Sequence, residues 1–298
     1  MVAQIIDGKK IAEEVKNSLR VRIGHLQEMG VTPGLTVVLV GENPASEIYV
    51  RMKTRACADL GIHSPTIRLP SSTSQEQLLA RLSGLNQDDS VHGILVQLPL
   101  PEQIDEQEVI QSIAPEKDVD GFHPVNRGKL VMGEETLVPC TPLGIREMLV
   151  RSGFAPDGKH VVIVGRSKIV GLPLATLLVQ KKPHANATVT ICHTGTKDLA
   201  AYTRQADILI AALGRPKAIT AEMIKPGAVV VDVGVNRVSD PSNEKGYRIV
   251  GDVEFETAVH KAKAISPVPG GVGPMTIAML LQNTVEAAFH LSASSSIG

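Results

Sequence analysis

Tyr49 and Lys53 stand four residues apart in a segment that begins Asn43-Pro44. Asn43 is a helix-capping type and Pro44 suits a first helical turn, so the segment predicts a helix that Gly61 closes. Residues four apart share a helix face, which places the phenol and the ammonium side by side. Ile48, Met52, Ala56 and Leu60 form a neighbouring apolar stripe and set Lys53 at the edge of a core. A partly desolvated lysine has a lowered pKa and can exchange protons near neutral pH. Spacing alone is met as well by a surface lysine lying beside a tyrosine, and by itself it favours that plainer reading.

Gln97 ends the apolar strand Gly93-Ile94-Leu95-Val96 and precedes Leu98-Pro99-Leu100-Pro101. Ligands of open α/β sheets sit beyond the carboxyl ends of strands, where an amide can donate and accept towards a substrate or water. Capping a frayed strand end is the alternative. Lys117-Asp118-Val119-Asp120-Gly121-Phe122-His123-Pro124 sets two carboxylates in a turn. Asp118 suits a turn former, and Asp120 suits an acceptor of paired N–H donors from a heterocycle; residue chemistry does not rank the two roles. Near the end, Pro267-Val268-Pro269-Gly270-Gly271-Val272-Gly273-Pro274 is stiff and sterically open. It can lie flat against a ligand or serve only as a crossing between domains.

A dinucleotide signal lies in Val161-Val162-Ile163-Val164-Gly165-Arg166-Ser167-Lys168-Ile169-Val170-Gly171. A buried strand runs into Gly165, and a helix begins near Gly171, whose unpaired N–H groups would face a pyrophosphate. The spacing is not G-x-G-x-x-G, and a tight strand-to-helix turn explains the loop equally well. The next strand ends in Cys192-His193-Thr194-Gly195-Thr196-Lys197, without the acidic residue that NAD-specific sites place there for the ribose hydroxyls. Arg166 and Lys197 are positioned to face a 2′-phosphate, which favours NADP; solvated loop charges are the alternative.

These residues need a scaffold, and the chain supplies a repeating one. Short apolar runs alternate with Gly/Pro punctuation and amphipathic segments, the rhythm of a parallel α/β sheet. Ile11, Val15, Leu19, Ile23 and Leu26 fall at helical spacing, and Leu35–Val40 reads as a buried strand. Further strands are expected near 66–69 and 93–97, with a helix near 74–85 between them. A second series starts after Pro139: a helix near 142–151, strands at 161–164, 187–191, 207–212 and 228–233, a helix after Gly171 and a last helix near 275–291. Its strands are apolar on both faces, as helix-covered sheets require. The fold class is α/β, with two α/β domains, the second a Rossmann-like parallel sheet, and a cleft between them. The stretches around 115–142 and 266–274 read as crossings, which returns the last helix to the first domain.

Composition narrows the function. The 298 residues carry a formal net charge of -1 and 2% aromatics with no Trp, which argues against nucleic-acid or membrane-surface binding. The first residues do not read as a secretory leader, so none is expected, and no apolar run reaches the roughly 20 residues of a membrane span. Three scattered cysteines suit a reducing, cytoplasmic setting. The nine histidines show no metal-ligand spacing, and zincin, nucleophile-elbow and P-loop motifs are missing, so no metal is expected.

Six segments together closely resemble the bifunctional methylenetetrahydrofolate dehydrogenase/cyclohydrolase family. They are V-V-L-V-G-E-N-P-A-S-E-I-Y-V-R-M-K, G-I-L-V-Q-L-P-L-P, P-E-K-D-V-D-G-F-H-P, P-C-T-P-L-G, G-R-S-K-I-V-G-L-P and P-V-P-G-G-V-G-P-M-T, in family order along nearly the whole chain. The resemblance implies Lys53 as the catalytic lysine, assisted by Gln97, with Tyr49 stacking near the folate. It implies Asp120 on the pterin ring and Pro269, Gly270 and Gly271 in the wall of the folate pocket. Gly165, Arg166, Ser167, Ile169 and Gly171 would form the NADP loop, with Thr194 keeping the hydroxyl of a serine in NADP-using relatives. It further implies a homodimer, a folate-binding catalytic domain over 1–138 plus 275–298, and an NADP-binding domain over 139–274. An unrelated Rossmann dehydrogenase acting on an amino or hydroxy acid leaves Lys53, Gln97 and Asp120 unexplained. A non-catalytic nucleotide sensor predicts NADP binding without folate-dependent reduction.

Overall fold

Leu35–Val40 is buried at every position, as a strand covered on both faces must be. It is the centre of a three-stranded parallel sheet, with Thr66–Leu69 on one side and Gly93–Val96 on the other. The computed structural model describes residues 2–243 and 246–295. These form two compact units: residues 14–140 with 277–295, and residues 2–13 with the described residues of 141–276.

In the first unit the strand order reverses at Leu35–Val40, so the chain leaves its carboxyl end in one direction and returns beside it from the other. That edge is where an open sheet leaves a crevice. Val38, Val40, Ile94 and Val96 pack with Leu78 and Leu82 of the helix Gln75–Gln87 and with Val109 of the helix Glu106–Ser112. Ile11, Val15, Leu19, Ile23 and Leu26 are all buried, as their spacing predicts for the helix Gly8–Glu28.

Two readings of this region need correction. On the helix Pro44–Ala58 the inward residues are Ser46, Val50, Ala56 and Cys57, whereas Ile48 and Met52 are 47% and 49% exposed. The expected stripe advanced by four residues at every step, and each such step drifts about 40° around a helix of 3.6 residues per turn. It therefore starts in solvent at Ile48 and reaches the core only at Ala56 and Leu60. The stretch 115–142 is also more than a crossing, because it contains the helix Pro124–Met132. His123 caps that helix through Nδ1, and Gly133 closes it at φ 73°.

The second unit is built on a six-stranded parallel sheet in the order Gln4–Ile5, Ala264–Ile265, Val229–Asp232, Ile208–Ala211, His160–Val164, Thr188–Cys192. Val162, Val164, Leu209, Ala211, Val230 and Ile265 form its core, with Ile219, Ile224 and Ala258 packed on them. The first strand of the run, His160–Val164, has Thr188–Cys192 on one side and Ile208–Ala211 on the other, so this sheet too has a switch point. Thr188–Cys192 is an edge strand and only Cys192 is fully buried, unlike the two-faced apolar strand expected there. Residues 2–13, expected with the folate-binding domain, group here because Gln4 and Ile5 pair with Ala264 and Ile265. An antiparallel hairpin, Asn236–Ser239 with Tyr247–Val250, completes the unit.

Candidate active site

The helix Pro44–Ala58 starts at the carboxyl edge of the three-stranded sheet, where Asn43 Oδ1 accepts from the N–H groups of Ala45 and Ser46 at 3.0 and 3.2 Å. Lys53 lies between Val50 and Cys57 on the inward stripe of this helix, half-buried, and therefore aims across the sheet edge. Its Nζ donates to Gln97 Oε1 at 3.1 Å, and Gln97 Nε2 donates to the Leu98 carbonyl at 2.7 Å. The second bond fixes which end of the amide faces Lys53. Gln97 is itself held by its N–H on the Val38 carbonyl at 2.9 Å. Tyr49 sits one turn before Lys53 and is 49% exposed.

Asp120 reaches the same edge by a different route. Asp118 bridges in parallel to Ile94, so Asp120, two residues on, comes level with the end of the strand Gly93–Val96. Its carboxyl is half-buried and has no hydrogen-bond partner among the described residues. Removal from water pushes its pKa up to about 6; the Lys53 ammonium opposes that rise and the Asp118 carboxylate adds to it. Asp118 takes the turn-forming role: Oδ2 accepts from His123 N–H at 2.8 Å and from Asn126 Nδ2 at 3.0 Å. The structure thus separates the two carboxylates that residue chemistry left unranked.

The segment around Asp120 is clamped by residues that the spacing did not single out. Lys117 is buried, and its Nζ donates to the carbonyls of Leu85, Asn86 and Asp88 at 3.3, 2.9 and 2.8 Å, capping the helix Gln75–Gln87. Asn283 Nδ2 donates to the carbonyls of Val119 and Val138 at 2.8 and 2.9 Å. Gly121, at φ 70°, lets the backbone pass against Val138 and Pro139, where a Cβ would lie 2.6 Å from Pro139 N. Lys117 reaches these carbonyls across sequence separations of 29 to 32 residues, so no local spacing marks it as the cap.

In the second unit, Gly165 ends the strand His160–Val164 at φ 135°, and a Cβ there would lie 2.1 Å from the Ala212 carbonyl oxygen. A Cβ on Gly171 would lie 2.1 Å from the Gly165 carbonyl oxygen. Both positions require glycine so that strand, loop and the helix Gly171–Val179 can pack together. The helix end differs from expectation. Ser167 Oγ accepts from the N–H groups of Val170 and Gly171 at 3.1 and 3.4 Å, and the Ser167 carbonyl accepts from Leu172 at 3.1 Å. The anion-facing surface is therefore the exposed segment Arg166, Ser167 and Ile169, with the helix N–H groups already capped.

Gly165 N–H donates to the Cys192 carbonyl at 2.8 Å, which brings the turn His193–Thr196 beside this loop. Thr194 and Lys197 are exposed there, and Thr196 Oγ1 accepts from His193 N–H at 2.8 Å. A glycine-bound loop at a switch point, with exposed cations and no carboxylate on the neighbouring turn, fits a phosphate-bearing dinucleotide. Gly270, at φ 108°, and Gly271 follow Pro269 in the same unit; a Cβ on Gly8 would lie 1.8 Å from the Gly271 carbonyl oxygen, so the N-terminal helix starts directly against this loop.

A doubly wound parallel sheet with this loop, joined in one chain to an α/β unit carrying a lysine, an amide and an unpaired carboxylate at its sheet edge, defines a dinucleotide-dependent enzyme of small-molecule metabolism. Residues 6–120 match the family model for the tetrahydrofolate dehydrogenase/cyclohydrolase catalytic domain, and residues 139–291 match that for its NAD(P)-binding domain. The chain belongs to the tetrahydrofolate dehydrogenase/cyclohydrolase family and is an enzyme with both activities in folate one-carbon metabolism.

A relative from Chlorobium phaeobacteroides, described as bifunctional protein FolD, is 57% identical over 287 residues, covering 95% of this chain and 97% of its own. The crystal structure of the FolD methylenetetrahydrofolate dehydrogenase/cyclohydrolase from Campylobacter jejuni superposes with a TM-score of 0.91 at 48% identity, covering 97% of this chain and 99% of that one. The Trypanosoma brucei dehydrogenase-cyclohydrolase, solved with NADP cofactor and an inhibitor, gives a TM-score of 0.90 at 41% identity, covering 98% and 99%.

Proposed function

We propose that the chain oxidises 5,10-methylenetetrahydrofolate to 5,10-methenyltetrahydrofolate with NADP and hydrolyses the product to 10-formyltetrahydrofolate, with Lys53 managing protons in the second step. The contact from Lys53 Nζ to Gln97 Oε1 at 3.1 Å carries this reading, because it aims an ammonium group along a sheet edge shared with Asp120. Bound NADP supplies the hydride acceptor. The two nitrogens flanking the one-carbon bridge push electrons as hydride leaves, so the protein's task in oxidation is positioning. Asp120 accepts N–H donors of the pterin, Tyr49 offers its ring face, and Pro269, Gly270 and Gly271 contribute a flat wall to the folate.

In hydrolysis, water adds to the bridging carbon of the cation, the bond from that carbon to N5 breaks, and one proton is released overall. Lys53, oriented by Gln97, relays the proton from the attacking water towards N5. The preference for NADP is supported by Arg166 and Lys197 near a turn that carries the Thr194 hydroxyl and no acid before Asp198, and by the NADP bound to the Trypanosoma brucei relative. Gly165, Ser167, Ile169 and Gly171 form the rest of that site. The family resemblance supports a homodimer, and the near-neutral charge suits a folate partner rather than nucleic acid. A cytoplasmic setting accords with three buried free cysteines, and no helix among the described residues is long and apolar enough to cross a membrane.

Lys53→Met tests the assignment. Cyclohydrolase turnover should fall by about 10²–10⁴-fold, the range for lost acid–base catalysis, while a folate analogue still binds. Hydrolysis at the full rate would remove Lys53 from the mechanism.

A further inference from the structure

The sheet of the second unit carries a pair of buried carboxylates that neither activity uses directly. Asp252 is fully buried, and its oxygens accept four hydrogen bonds: Leu213 N–H at 2.6 Å and Gly214 N–H at 2.9 Å on Oδ2, Arg215 N–H and Asn236 Nδ2 at 2.9 Å each on Oδ1. Asp232 is also buried and accepts from the N–H groups of Gly234, Asp252 and Val253 at 2.9 Å each, while its own N–H donates to Ser266 Oγ at 2.8 Å. A Cβ on Gly234 would lie 2.3 Å from Asp252 Oδ1, and one on Gly251 would lie 1.8 Å from Asp232 Oδ2, so glycine is required at both positions.

The groups so tied are loops at one edge. Leu213–Arg215 follows the strand Ile208–Ala211, Asp232 ends the strand Val229–Asp232 with Gly234 just beyond it, and Ser266 opens the run to Gly271. This is the carboxyl edge of the parallel sheet, the same edge at which Gly165 turns. The Ala212 carbonyl, immediately before the first clamped loop, is the atom that a Cβ on Gly165 would strike. Burying carboxylates among backbone N–H groups is an expensive way to gain stability, since apolar packing serves as well. What it does supply is a fixed direction for three consecutive peptide groups.

We infer that Asp252, held by Asp232, is a positioning residue for the dinucleotide: it fixes the loop Leu213–Arg215 against the Gly165 turn and thereby sets NADP affinity without entering folate chemistry. The inference rests on dinucleotide binding at Gly165–Gly171, and the two activities of the chain provide the control. Asp252→Asn keeps the shape but turns an NH2 group towards two of the four donors. NADP affinity, measured by calorimetry on the whole protein, should weaken at least tenfold. Hydrolysis of methenyltetrahydrofolate supplied directly, which needs no cofactor, should stay within twofold of the parent.

If that variant does not fold, Asn236→Ala removes a single donor and should weaken NADP binding about threefold with the hydrolysis rate retained. An unchanged NADP dissociation constant in Asp252→Asn would overturn the inference, as would a parallel fall of binding and hydrolysis in Asn236→Ala. Absence of NADP binding in the parent protein would instead strike at the dinucleotide reading itself.

Discussion

Asp120 offers a direct test, because burial holds its carboxyl above the range of an ordinary aspartate. Burial raises its pKa to about 6, and Lys53 keeps it from rising further. Only the ionised carboxylate can accept paired N–H donors, so folate affinity should be complete well above pH 6 and lost below it. With a midpoint near 6, the ionised share at pH 5 is about one part in eleven, which predicts a roughly tenfold weaker dissociation constant than at pH 7.5. The assay is a binding titration of a stable folate analogue between pH 5 and 8, monitored by protein or ligand fluorescence. Asp120→Asn should bind more weakly and lose the acid limb. Lys53→Met should move the limb to higher pH, since the ammonium that favours the charged form is gone. A flat parent profile down to pH 5, or an unaltered limb in Asp120→Asn, would refute both the titration and the assignment.

The other expectations concern the frame. Gly171→Ala drives a methyl group to 2.1 Å from the Gly165 carbonyl oxygen, so backbone must shift; a loss of about 1–3 kcal/mol in urea unfolding should accompany weaker NADP binding in calorimetry. Lys117→Met strips the ammonium from three carbonyls at a buried helix end. Stability should drop by about 2–3 kcal/mol, read by denaturant titration, and an unchanged midpoint would show that water replaces the cap at no cost.

Much of the scaffold was legible because burial on a regular element leaves a periodic trace. The residues 11, 15, 19, 23 and 26 are separated by three steps of four and one of three, which spreads them over about 120° of one broad helix face, and all are buried. Leu35–Val40 and the Val161–Val164 part of the next sheet are apolar runs of strand length, and both lie in strands paired on each side. The pairing of Lys53 with Gln97 was approachable because one lies on a helix leaving a strand end and the other on a strand end itself.

What escaped has equally physical causes. Gln4–Ile5 is two residues long and exists only through its partner strand, so no local pattern marks it. Pro124–Met132 contains Gly128 and Asn126, which read as loop residues until Asn126 is seen hydrogen-bonding Asp118. Ser167 was recognised as part of the loop, but a serine four residues ahead of a glycine does not announce that it will cap the helix. Asp252 follows Gly251 directly and Asp232 lies two residues before Gly234, but only the fold shows that each glycine makes room for the other segment's carboxylate.

The amide of Asn283 has a bearing on biosynthesis. It joins the carbonyl of Val119 across a sequence separation of 164 residues and that of Val138 across 145. A ribosome delivers the peptide that carries Asp120 long before it delivers the side chain that pins it. The three-stranded sheet can assemble early from local neighbours, but the turn that carries Asp120 waits through the synthesis of the entire dinucleotide-binding sheet. Pulse-labelled nascent chains stalled before residue 283 should therefore hold a formed sheet and a protease-accessible turn, with maturation of the lysine site among the last events of folding.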